Sequence, residues 1–135
     1  MSAAAAGIAM HILLIEPDAI LARTYEAALT DAGYQVAHAA TAQQAIAAAD
    51  SQKPDVVVLA LEMARHNSIE FLYEFKSYSE WQNVPVLLLV PRLNHDIADN
   101  PSIRNNLGVC EVLIRSQLTL RRLCDAVARA GQTVA

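Results

Sequence analysis

Residues 54–60 read PDVVVLA, and this short run decides the fold. Pro54 ends whatever helix precedes it, because proline has no backbone N–H to continue the ladder. The five residues after Asp55 are β-branched or aliphatic, with no alternation of apolar and polar. A strand with one wet face alternates with period two, whereas an unbroken apolar run is a strand covered on both faces, the usual condition of a central parallel strand. Four further runs flank it at residues 11–15 (HILLI), 34–39 (YQVAHA), 84–90 (VPVLLLV) and 111–115 (EVLIR).

The segments between these runs have helical spacing. Pro17 and Asp18 open a helix in which Leu21, Tyr25, Ala28, Leu29 and Ala32 share one side, and Gly33 closes it. Thr41 with Gln44 forms a capping-box pattern for a helix reaching about Ser51. Ser68 is the expected cap of a helix with Ile69, Leu72 and Phe75 facing inward, and Leu120, Leu123, Cys124 and Val127 mark the inner side of the last one. Residues 93–106, rich in Asn and Asp, carry no full helical period. There Asn100 as cap and Pro101 in the first turn predict a short helix ending before Gly108.

Strands alternating with helices imply an α/β fold: a five-stranded parallel sheet with helices on both faces, the fourth helix short or irregular. The domain is expected over residues 10–131, with a disordered leader at 1–9 and a tail at 132–135. In such sheets ligands sit outside the carboxyl ends of the strands, which directs attention to Glu16, Ala60, Val90 and Arg115.

Composition excludes several classes. The chain has 135 residues, 54% hydrophobic and 18% charged, enough for one core and too few for two. Net charge is −4 and the ten basic residues are thinly spread, so nucleic acid is not an expected partner. No apolar run is long enough to cross a bilayer and the start lacks the basic residues of a secretion signal, so no membrane partner is expected. Cys110 and Cys124 lie in apolar segments and read as reduced core thiols of a cytoplasmic protein. None of the four glycines follows the first strand, which excludes a dinucleotide fingerprint and a P-loop, and no G-x-S-x-G elbow is present. His11, His38, His66 and His95 show no ligand spacing. Neither a metal, a cofactor nor an enzymatic activity is expected.

The segments HILLIEPD, PDVVVLALEM, NVPVLLLVPR and GVCEVLIRS resemble the strands and following loops of response-regulator receiver domains, from about His11 to Ala130. The resemblance implies the flavodoxin-like receiver fold. It also implies five positions of phosphoryl chemistry: an acidic pair after the first strand, an acceptor Asp ending the third, a hydroxyl ending the fourth, and a Lys ending the fifth. At the matching positions this chain has Glu16 and Pro17, Ala60, Val90 and Arg115, with Ser116 in place of the Pro that follows the Lys. An alanine cannot form an acyl phosphate. With Pro17 and Ala60, two of three side-chain ligands for a divalent cation are missing. Val90 donates no hydrogen bond, and Arg115 keeps a charge in a forked geometry. Glu62 and Asp18 are the carboxylates that could replace the acceptor. Asp18 reads more simply as a helix cap, and Glu62 as a position whose side chain points outward. Glu16 and Arg115 are expected to form a bidentate, exposed bridge.

The aromatic position through which receivers report activation is Val112 here. The expected function is therefore a phosphorylation-independent protein-interaction module of two-component signalling, partnered by a signalling protein or by itself as a homodimer. Arg104, Glu111, Arg121, Arg122 and Asp125 form the expected dimer or partner face. The alternative is a regulator that holds a small anion or metabolite between Glu16, Ala60, Val90 and Arg115.

Overall fold

The computed structural model describes residues 10–60, 67–92 and 101–132. The expected leader and most of the tail, the loop bearing Glu62 and His66, and the segment with His95 and Asn100 lie outside the described residues. The elements in chain order are β1 (His11–Ile15), α1 (Ala19–Asp31), β2 (Gln35–Ala39), α2 (Ala42–Ser51), β3 (Val56–Ala60), α3 (Asn67–Ser77), β4 (Val86–Val90), α4 (Pro101–Asn106), β5 (Val109–Ile114) and α5 (Leu120–Gln132). All strand pairs are parallel, in the order β2-β1-β3-β4-β5.

The lack of alternation in β3 has a direct cause. Its side chains feed two cores, because successive residues of a strand point to opposite faces. Val57 and Leu59 pack with Ala45, Ala49, Leu72 and Phe75 under α2 and α3. Val56 and Val58 pack with Tyr25, Leu29, Leu123 and Val127 under α1 and α5. The short α4 contributes Ile103 to the first of these cores.

Capping follows the side-chain chemistry. Asp18 Oδ1 accepts the N–H groups of Ile20 (2.9 Å) and Leu21 (3.0 Å), which occupies the carboxylate that could have served as a relocated acceptor. Thr41 Oγ1 accepts the Gln44 N–H, but Gln44 Oε1 returns to the N–H of Ala40 rather than Thr41, so the box is offset by one residue. Gly33, at φ 100°, turns the chain out of α1.

Four expectations are corrected. Ser68 is not a cap: α3 begins at Asn67, and Ser68 Oγ donates instead to the Ala60 carbonyl at 3.1 Å. Leu120 is 42% exposed, since it sits at the first turn of α5, beyond the part that packs on the sheet. Arg115 leaves the sheet in a 3-10 turn, Arg115–Gln117. Cys110 is exposed and not a core thiol, because a bulge opposite Val86 and Leu87 inserts one extra residue in β5. Both cysteines are free. Among the described residues no helix is long and apolar enough to cross a membrane.

One buried cation was not foreseen. Lys76 on α3 donates to the carbonyls of Trp81 and Gln82, each at 3.2 Å, and to that of Val84, which closes the turn leading into β4. Burial lowers its pKa to about 8, with Cys110 acting weakly in the opposite sense. Gly108 gives the ammonium its space: a Cβ there would lie 2.9 Å from Lys76 Nζ.

Candidate functional site

The parallel register brings the ends of β1, β3, β4 and β5 together. Ile15 pairs with Leu59, Ala60 with Leu89 and Val90 with Ile114, so the next residues of β1 and β5, Glu16 and Arg115, emerge at one end of the sheet. Glu16 is 1% exposed. Its Oε1 accepts Arg115 Nη2 at 2.6 Å, and its Oε2 accepts the Asp18 N–H at 3.2 Å. His38 Nε2 lies 2.8 Å from the Glu16 carbonyl, a contact that requires the proton on that nitrogen.

The expected pair therefore forms, but in a different manner. It joins through one guanidinium nitrogen and is not a two-bond fork, because the backbone N–H of Asp18 takes the second oxygen. Arg115 Nε is buried with no hydrogen-bond partner among the described residues. Nor is the bridge exposed: the side chains are 29% and 2% accessible for Arg115 and Glu16. Tyr25 stands beside the pair. Its burial raises the phenol pKa, the Arg115 guanidinium opposes that rise, and Glu16 adds to it.

Ala60 and Val90 are buried, and Pro17 is exposed. A cleft of about 370 Å³ opens beside Pro17 and Ala60, with Ile15, Leu59 and Phe71 in its wall and Thr41, Ser68, Glu70 and Glu74 supplying polar groups. No Lys or Arg lines it among the described residues. Arg115 faces Glu16 instead. Among the described residues the cleft thus presents carboxylates where an anion would need cations.

A divalent cation of the kind that receiver chemistry uses does not fit the residues present. The end of β3 carries a methyl group, and Glu16 is engaged by Arg115 and the Asp18 N–H. No cluster of three or more His, Cys, Asp or Glu side chains suited to a metal occurs among the described residues.

The expected partner face is brought together in part. Arg104 on α4, and Arg121, Arg122 and Asp125 on α5, are exposed on elements that flank β5. Glu111 is already paired within the chain, with Arg129 Nη2 at 2.8 Å and Nε at 3.4 Å. Spacing gave no hint of this pair, since it joins a strand to the helix crossing it.

Residues 12–108 match the family model described as the response regulator receiver domain. The chain belongs to this family. Receiver-type structures share its fold: the chemotaxis response regulator CheY4 of Vibrio cholerae superposes with a TM-score of 0.78 at 20% identity, over 90% of this chain and 98% of that one. A response regulator from Thermotoga maritima gives 0.79 at 18% identity, over 93% and 99%. In sequence, this receiver domain is 27% identical over 119 residues to the KDP operon transcriptional regulatory protein KdpE of Escherichia coli, covering 83% of this chain and 52% of that protein. It is 30% identical over 123 residues to the probable transcriptional regulatory protein TcrX of Mycobacterium tuberculosis, covering 86% and 52%. The chain spans about half the length of these relatives.

Their names correct one expectation. Transcriptional regulation acts on DNA, so partners restricted to a signalling protein or self, with nucleic acid excluded, cannot be read from this sequence. The sparse basic charge is that of a receiver domain, which spans about half the length of these relatives.

Proposed function

We propose that this receiver domain passes its signal through protein contacts without accepting a phosphoryl group, within a pathway that controls transcription. It acts in the cytoplasm as a binding module and not as an enzyme. One observation carries the reading: the central strand ends in the methyl group of Ala60, 3% exposed, where an acceptor carboxylate would stand. The rest of the site agrees with it. Pro17 and Val90 offer no ligand or hydroxyl, and Arg115 is held by Glu16. Val112, packed partly buried against the core, has no ring to swing between two positions. A full switch of a two-state element needs roughly 5.5 kcal/mol of differential binding, and here a protein partner supplies it. The exposed Arg104, Arg121, Arg122 and Asp125 beside β5 are one surface for that partner.

The test is incubation with acetyl phosphate and magnesium, read by intact-protein mass spectrometry. The wild type is expected to keep its mass, and Ala60→Asp as well, because Pro17 and Val90 still withhold the metal ligand and the hydroxyl. A stoichiometric, hydroxylamine-sensitive phosphoryl adduct on the wild type overturns the proposal.

A further inference from the structure

The cleft beside Ala60 continues along the molecule. It shares Ala42 and Glu74 with a second hollow of about 560 Å³, so the two adjoin as one groove between α2 and α3. The groove exists because α2 presents short side chains there: Ala42 and Ala47 leave a trough, with Ile46 at its bottom. Its far end is aromatic. Trp81 stacks on Phe75 with centroids 4.8 Å apart, and Tyr78, 40% exposed, leans on Trp81 at 60° and 4.8 Å.

Among the described residues the charge on this groove has one sign. Glu70 and Glu74 line the first hollow, and Asp50, Glu74 and Glu80 the second, with no Lys or Arg lining either among the described residues. All four carboxylates are exposed, and none makes an ion pair with a described residue. Glu70 and Glu74 are one turn apart on α3, a spacing at which like charges repel. The chain does pair Glu16 and Glu111 with arginines. Here it leaves repulsion uncompensated along an apolar trough, beside a half-exposed tyrosine ring whose face attracts cations.

We infer that the α2–α3 groove is a docking site for a basic amphipathic helix of a protein partner. Its aliphatic face would lie on Ala42, Ile46 and Ala47 and its lysines or arginines against Glu70, Glu74, Asp50 and Glu80. A helix suits the groove better than an extended segment, because both walls are helices and neither offers a free strand edge to pair with. The ten residues of α2 span about 15 Å, which matches about three turns of a partner helix. This inference rests on the reading of the chain as an interaction module, and it is independent of whether the strand-end site accepts phosphate.

The probe is a dye-labelled peptide about three helical turns long, with leucines on one face and lysines on the other, beside a control with glutamates in place of the lysines. Binding is read by anisotropy and by the fluorescence of Trp81, the single tryptophan of the chain. The lysine peptide is expected to bind and to perturb Trp81. The double variant Glu70→Lys/Glu74→Lys, both positions exposed, should weaken it by about tenfold or more, while Arg23→Glu on the exposed face of α1 leaves it unchanged. No binding of the lysine peptide, equal binding of the glutamate peptide, or indifference to the charge reversal each overturns the inference. So does a wild-type dimer in sedimentation that the double variant dissociates, which would give the groove to a second copy. A phosphoryl adduct on the wild type, by contrast, defeats the silent-site proposal and leaves the groove standing.

Discussion

At the carboxyl ends of the strands, Glu16 is buried against Arg115 and capped by the Asp18 N–H; along α2 and α3, four carboxylates stand in solvent without a described cation. The two regions adjoin at Ala60 and Pro17, yet their acids serve opposite ends. An acid paired within its own chain stabilises the fold and has little left to offer a ligand. An acid left unpaired slightly destabilises the fold and keeps its charge for whatever arrives. On the proposed reading, the acids left free to meet a partner are those of the groove, although the family's chemistry belongs at the strand ends.

The comparison breaks most visibly if the sealed region proves not to be sealed. Arg115→Ala removes a charge-assisted bond to a buried carboxylate and should cost about 2–3 kcal/mol of stability in urea unfolding. Arg115→Lys should recover part of that loss. An Arg115→Ala protein as stable as wild type would show that the pair does not hold the site closed.

The groove's far wall gives a smaller effect with a definite sign. Lys76 fixes the turn bearing Trp81, and burial lowers its pKa from 10.5 to about 8. Between those values the unfolded chain binds more protons than the folded one, so this group makes stability rise with pH across that window. The wild type should gain on the order of 1 kcal/mol over Lys76→Met as pH increases from about 8 to 9.5. A difference that is flat or falls with pH would remove Lys76 as a buried cation. The smallest effect belongs to the exposed pair: Arg129→Ala, which frees Glu111, should leave the thermal melt close to that of the wild type. A larger loss would mean that the β5 side is as tightly bound as Glu16.

Much of the fold was legible because burial on both faces leaves a mark in composition, as in residues 56–60 and 86–90. The Glu16–Arg115 meeting was legible from strand order alone, since parallel register places those ends together. Its geometry was not: the Asp18 N–H that takes the second oxygen depends on how the chain turns into α1. The role of Ser68 was missed because α3 starts two residues earlier than the capping pattern suggests. Lys76 and the acidic groove gave no local signal. The groove arises where α2 and α3 pack together, Lys76 depends on how the chain turns back after α3, and a charged residue in a helix looks the same on paper whether it faces carbonyls or water.

The bulge at Cys110 has a consequence for association. β5 is an edge strand among the described residues, and a flat edge invites a neighbouring molecule to extend the ladder. One surplus residue disturbs the spacing of donors and acceptors along that margin and increases its twist. A foreign strand laid beside it would lose registry within a few residues, so this edge discourages strand addition by its own shape.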